Sequence, residues 1–495
     1  MDASLEVADL TAAALALGGT LLLVSSLLSR IGHRLGVPVN LLFLVIGMLA
    51  GSDGPGGVWF DDFDVAYVAG TAALTVILFA GGLNTRVADL RGALGPASVL
   101  ATVGVVGIAA VTACGAHLLG LTWPEALLIG AIVSSTDAAA VFAVLDGVPL
   151  RRRVARTIEL ESGLNDPVAV ILTTAATLNM AGTTLPAWTL GFDMALQLAI
   201  GAALGIAVGV AGRWLLHHVR LSTPALLPTV TVAVALIAYG VATQVGGSGF
   251  LAVYVAGIAI ANGPLPHQVT LQRFHESLAW LSQVAMFLLL GLLVYPSQLA
   301  PVAGRGLLLA LFLAIVARPL VVTLCLTPFG FHWREIVCIA WLGLRGAVPI
   351  ILATVPVLMI GTPGAPERDL VDEFDLVFFV VVVGSFIPGM TARWMPRLLR
   401  LEEPVAPEPA ASIDITTSAP IRDEQLTFFI GPDSPAAGQT LSALPLPDDV
   451  TVMLVVRGNE VVPPRGTTTL MPGDHAFVLC PPERVAAVSA LFDPG

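Results

Sequence analysis

An all-α polytopic membrane protein with a small α+β domain at its C-terminal end is what this sequence predicts, on three observations. Of 495 residues, 56% are hydrophobic and 12% charged, against the usual quarter charged, and the mean hydropathy is +0.88. Apolar runs near the ~20 residues that cross a hydrocarbon core recur from residue 8 to residue 395. Beyond Arg400 the composition changes to a polar linker followed by short alternating segments.

The runs amount to about thirteen spans, at 8–29, 38–51, 63–83, 97–119, 123–145, 154–178, 190–216, 224–245, 249–263, 275–294, 305–326, 335–359 and 374–396. Every cation in the chain is arginine. Loops after odd-numbered spans hold Arg30, Arg34, Arg86, Arg91, Arg151, Arg152, Arg153, Arg156, Arg213, Arg220, Arg273, Arg334, Arg393, Arg397 and Arg400. Loops after even-numbered spans hold Arg305 and Arg368 among many acids. The positive-inside rule then puts the N-terminus outside the cell membrane and the C-terminus in the cytoplasm. MDASLEVADL lacks a basic leading region, so a retained first helix is expected rather than a cleaved signal. Cys114, Cys325, Cys338 and Cys480 have neither metal-ligand nor disulfide spacing. The net charge of −12 sits largely in outer loops and the tail, and bears on solubility.

The expected division is a transmembrane domain at 1–400, a Pro- and acid-rich linker at 401–420 and a small domain at 421–495. In the last, strands are expected at 426–430, 451–458, 460–464 and 475–480, with Gly458-Asn459 as a tight hairpin turn and a closing helix.

An ionisable group at membrane depth costs about 2.5–3.5 kcal/mol on insertion scales, so those that persist pair with one another or line an aqueous cavity. The spans hold Asp137, Glu161, Asp166, Arg318 and Arg345, with Glu159 nearer an interface. In the sixth span Ser162 and Asp166 are four apart, as are Glu161 and Asn165, which sets the pairs on adjoining strips of one helix. Pro167 lacks the N–H that would bond the Gly163 carbonyl, leaving an oxygen suited to a hard cation. In the fifth span Ser134-Ser-Thr-Asp137 repeats a capping pattern at mid-membrane, which implies a broken helix. The twelfth span is interrupted by Gly343, Arg345, Gly346 and Pro349. The two interruptions are seven spans apart, an odd offset that makes the halves inverted repeats, and paired broken helices point to a substrate site near the midplane. Arg345 is placed to balance the negative C-terminal ends of the half-helices.

SSTDAAAV (134–141), ESGLNDPVAV (161–170) and GLRGAVP (343–349), in this order, resemble the signatures of the NhaP branch of monovalent cation:proton antiporters, over about residues 5–400. The tail, on its strand pattern and Pro472-Gly473-Asp474 turn, resembles the C-terminal RCK (TrkA-C) domain of potassium transport proteins. The resemblance implies an NhaA/NhaP-like fold and an ion site of Thr136, Asp137, Ser162 and Asp166. It also implies a buried structural ion pair of Glu161 with Arg318, and electroneutral exchange marked by Asn165 ahead of Asp166. With Glu161 neutralised, Asp166 is the carboxylate left to trade a proton for a cation. A homodimer is implied, with the tail as a dimeric regulator of small cytosolic ligands, nucleotides such as cyclic di-AMP among them. Potassium is favoured over sodium through the tail alone, because carboxylate, hydroxyl and carbonyl oxygens serve both.

An RCK-gated potassium channel is the rival from another class, but it needs a carbonyl filter such as TVGYG, and the nearest string is Ala238-Tyr-Gly-Val241. A membrane enzyme is not expected: no span pairs a nucleophile with a base, and His275 beside Glu276 is expected as an interfacial pair. A vestigial transporter acting as a sensor is separable only by transport assay. Neither a cofactor beyond the transported ions nor a nucleic-acid partner is expected.

Overall fold

The computed structural model describes residues 15–28, 38–85, 92–145, 150–183, 186–218, 226–263, 267–360, 368–403 and 424–492, with Ala12, Val87 and Val148. The start of the first expected span, Arg30, Arg34, Arg86, Arg91, Arg220, most of the expected linker (404–420) and the first residues of the expected C-terminal domain (421–423) lie outside the described residues. The chain divides into a helical unit and a unit containing the C-terminal domain.

The helical unit opens with α1 (Leu15–Leu28), α2 (Val39–Ala50), α3 (Phe63–Asn84) and α4 (Leu94–Leu118). The broken fifth segment is α5 (Trp123–Ile132) and α6 (Ala138–Val144), followed by α7 (Arg152–Met180) and α8 (Ala187–His218). Next come α9 (Leu226–Gln244), α10 (Gly249–Ala261), α11 (Gln268–Leu292) and α12 (Pro296–Phe329). The second broken segment is α13 (Trp333–Trp341) and α14 (Val348–Ile360), and α15 (Arg368–Ala392) and α16 (Trp394–Leu399) close the unit. By length and composition α3, α4, α8, α9, α11, α12 and α15 can each cross a membrane. α7, at 29 residues about 44 Å long, reaches as far but carries charges. α8 turns Trp188, Phe192 and Trp214 outward, as a surface solvated by lipid does.

The breaks have local causes. Thr122 and Glu125 form a reciprocal capping box at the start of α5 with Pro124 in its first turn, and the helix ends at Val133. Asp137 then caps α6, accepting from Ala140 N at 3.2 Å. In the other half His332 and Glu335 box the start of α13, and after it residues 342–347 run non-helical to Val348. One helix ahead of each break, α4 and α12 contain a π-helical turn, Leu100–Gly104 and Leu313–Ala317, a further sign that the halves repeat. Pro167 lies inside an unbroken α7.

The C-terminal domain is a four-stranded antiparallel sheet with one helix on it. Its strands are β1 (Glu424–Phe429), β2 (Thr451–Arg457), β3 (Glu460–Val462) and β4 (Asp474–Cys480), in the order β1-β4-β2-β3, and α17 (Val485–Phe492) packs behind. Gly458 at φ +55° opens the two-residue turn between β2 and β3, where a left-handed first position is required. Ile430, Val455, Leu470, Val478 and Phe492 fill the core. Arg457 meets Asp474 through two 2.8 Å bonds. Burial works to raise the Asp474 carboxyl, but Arg457 and the Met471 N–H outweigh it and hold it below the usual carboxylate range.

Candidate ion site at the crossing of the broken helices

The two non-helical segments cross and bond: Asp137 N donates to Leu344 O at 2.8 Å. Contact this close needs glycine. A Cβ on Gly346 would overlap the Asp137 carboxylate, and one on Gly343 would overlap the Arg318 guanidinium. Both glycines stand in GLRG as part of the interruption, yet the groups they admit come from other helices, so their role as seats is not visible in the sequence.

Two arginines serve the broken helices. Arg345 Nη1 donates to Ser134 O at 2.9 Å and to Ser135 O, the carbonyls just past the end of α5. Arg318 Nε donates to Ala340 O at 3.0 Å, and Nη2 to Ile339 O at 3.3 Å, at the end of α13. α5 and α13 thus each direct their negative end at a guanidinium. The sequence assigns that task to Arg345 alone; Arg318 shares it. Arg318 also meets Glu161 in a two-pronged pair at 2.9 and 3.2 Å, both side chains almost fully buried.

α7 presents the remaining groups. Ser162 Oγ donates to Thr136 O at 2.9 Å and accepts from Ala138 N at 2.9 Å, stitching α7 to the first residue of α6. Asn165 Nδ2 donates to Thr136 Oγ1 at 2.7 Å. Asp166 is 4% exposed, lies within electrostatic reach of Asp137 and Ser135, and its Oδ1 carries no hydrogen bond. Buried polar atoms are ordinarily satisfied. Here Asp166 Oδ1, Asn165 Oδ1 and Arg345 Nη2 have no hydrogen-bond partner among the described residues. The carboxylate and amide oxygens of that set suit a hard monovalent cation.

Asp137, Ser162 and Asp166 line a cavity of about 830 Å³, with Arg152, Arg156 and Glu159 along the same wall. Asp166 is 14 residues along α7 from Arg152, about 21 Å along the helix. Thr136, Asn165, Glu161 and Arg318 are buried and do not line the cavity. Tyr254 of α10, which no motif or spacing singles out, also lines the cavity and bonds Thr85 Oγ1 at 3.3 Å.

His275 and Glu276 do not form the expected interfacial pair. His275 is 1% exposed, bonded through Nε2 to Thr231 Oγ1 at 2.7 Å and set edge-on to Phe79. Successive helical residues diverge by about 100°, so neighbours cannot share a face. Glu276 faces the cavity instead.

Residues 20–398 match the transmembrane sodium/hydrogen exchanger family, and residues 426–493 match the TrkA-C domain. The K(+)/H(+) antiporter NhaP2 of Shewanella oneidensis is 40% identical over 483 residues, covering 96% of this chain and 82% of that protein. The K(+)/H(+) antiporter NhaP of Alkalimonas amylolytica is 40% identical over 479 residues, with the same two coverages. The fold matches the structure of the sodium proton antiporter MjNhaP1 from Methanocaldococcus jannaschii with a TM-score of 0.64, at 23% identity over 76% of this chain and 98% of that one. With its paired broken helices and multi-pass membrane architecture, this chain belongs to the transmembrane sodium/hydrogen exchanger family and carries a C-terminal TrkA-C domain.

Proposed function

We propose that the protein exchanges potassium for protons, one for one, at Asp166. The observation that carries this reading is a nearly buried carboxylate, with an oxygen unpartnered among the described residues, on the wall of a cavity of about 830 Å³, on the same helix as a second acid whose charge Arg318 already occupies. Asp166 holds a proton or a cation but not both, and alternating exposure of one such group couples the two flows. Asp137 caps α6 and turns toward the same space, so it orients the crossing and adds a second oxygen ligand; Thr136, Ser162 and Asn165 complete the site. Potassium is preferred because the 40% identical relatives carry that ion in their names, and sodium is the alternative. Proton flux in proteoliposomes on addition of K+ or Na+ tests it: flux with neither ion ends the reading, and flux with Na+ alone reverses the selectivity.

Arg152 and Arg156 line the cavity at the end of α7 that the arginine distribution assigns to the cytoplasmic side. Asn165 adds no second titrating acid beside Asp166. The rate is therefore expected to be insensitive to voltage, and a potential imposed without ion gradients should move no protons; sustained voltage-driven flux would refute one-for-one exchange.

Residues 1–400 form the exchanger in this reading, 401–420 the linker and 421–495 a regulator that senses a cytosolic nucleotide such as cyclic di-AMP, within a homodimer. A ligand of the tail biases the exchanger only by its differential affinity for two states. Truncation after Glu403 is expected to keep ion selectivity and the Asp166 requirement while shifting the pH or cation concentration of half-activation. A folded truncation that transports nothing counts against a purely regulatory tail.

A further inference from the structure

Glu276 is unassigned by the exchange chemistry, and its placement is specific. It lies on α11 with its side chain exposed to the cavity that ends at Asp166. Met286, ten residues further along the same helix and about 15 Å deeper, lines the cavity too, which sets Glu276 at the rim. Asn84, at the end of α3, donates to Glu276 Oε1 at 3.1 Å and fixes the carboxylate on the wall. The buried His275–Thr231 bond one residue earlier locks the helix in that rotation.

The charges facing the cavity are few. Arg156 and Glu159 cancel one another at 2.8 Å, Arg152 is exposed, and Asp137 and Asp166 occupy the base. Glu276 forms no ion pair among the described residues, whereas Glu159 is paired with Arg156, so Glu276 is the rim carboxylate without a cation in contact. A fixed negative charge at the mouth of a low-dielectric funnel raises the local concentration of cations.

We propose that Glu276 is a capture residue for the incoming monovalent cation, holding it loosely at the rim before it reaches Asp166. This rests on the Asp166 exchange reading. Capture by one unpaired charge is unselective, so it sets how much cation suffices and not which cation is carried.

The test is the cation dependence of exchange in proteoliposomes for Glu276→Gln, Glu276→Asp and Asn84→Ala, at low ionic strength and at high ionic strength set with a non-transported salt. Glu276→Gln keeps an acceptor for Asn84 and removes only the charge. It is expected to raise the half-saturating concentration of K+ and Na+ alike by about three- to tenfold at low ionic strength, with the maximal rate retained. Near 1 M salt, where the screening length is about 3 Å, the difference should fall below about twofold. Glu276→Asp should recover most of the affinity, and Asn84→Ala should leave it unchanged. Unchanged half-saturation in Glu276→Gln at low ionic strength overturns capture while leaving exchange at Asp166 intact. An equal shift in Asn84→Ala overturns it also, by assigning Glu276 to the packing of α3 on α11. Should Glu276→Gln not fold, the Asp and Ala variants still decide, since a structural role predicts that both shift together. Persistent exchange in Asp166→Asn is a different result and defeats the underlying reading instead.

Discussion

Asp166→Asn is expected to bring cation-driven proton flux down to the level of protein-free vesicles, a loss of about 100-fold or more. The amide has nearly the volume of the carboxylate and keeps one acceptor oxygen, so α7 and its contacts to the crossing survive. What it lacks is a charge to hold the cation and an oxygen that takes up a proton. No neighbour can substitute. Glu161 is held by Arg318, one Asp137 oxygen is engaged in capping α6, and Asn165 is an amide. The variant should elute as a single folded species with a thermal midpoint near the parent's. Exchange above about a tenth of the native rate in such material would show that another group carries the proton.

Glu161→Gln is expected to act on stability rather than on chemistry. Arg318 is 2% exposed and its guanidinium cannot shed its charge. The amide keeps one acceptor oxygen but removes the counter-charge, leaving a buried cation with neutral acceptors, among them the Ala340 and Ile339 carbonyls. A buried pair broken on one side costs about 3–5 kcal/mol, a large part of a total stability of about 5–15 kcal/mol. The variant should lose its folded, detergent-stable form or unfold about 10 °C below the parent. The double variant Glu161→Gln/Arg318→Gln should recover part of the loss, because a close pair is not additive. A Glu161→Gln protein as stable as the parent but altered in cation affinity would interchange the roles of Glu161 and Asp166.

Much of this architecture is readable from local sequence. Hydropathy places the spans because backbone polar groups in lipid leave the helix as the main solution, and length then follows from bilayer thickness. Asp137 is readable as a mid-membrane cap, since a cap is a local interaction between a side chain and the next turn. Ser162 and Asp166 are readable as one surface, because helical spacing alone determines which residues share a face. The β2–β3 hairpin at Gly458 follows from turn chemistry of the same local kind.

The crossing itself is not readable in this way. That Gly343 seats Arg318 and Gly346 seats Asp137 depends on helices far apart in sequence coming into van der Waals contact. The second task of Arg318, on the end of α13, and the place of Tyr254 on the cavity wall depend on the same packing. His275 and Glu276 show the limit most clearly: two adjacent ionisable residues suggest a pair, but which face of α11 meets Thr231 and which meets the cavity is decided by the helices around it. Local physics, in which each residue answers to lipid or to its own helical turn, let the sequence alone determine the membrane architecture, the breaks and the acids at depth. Tertiary structure alone decided which charges cancel, which glycines make room and which carboxylate faces water, because those depend on contacts between segments that local spacing does not encode.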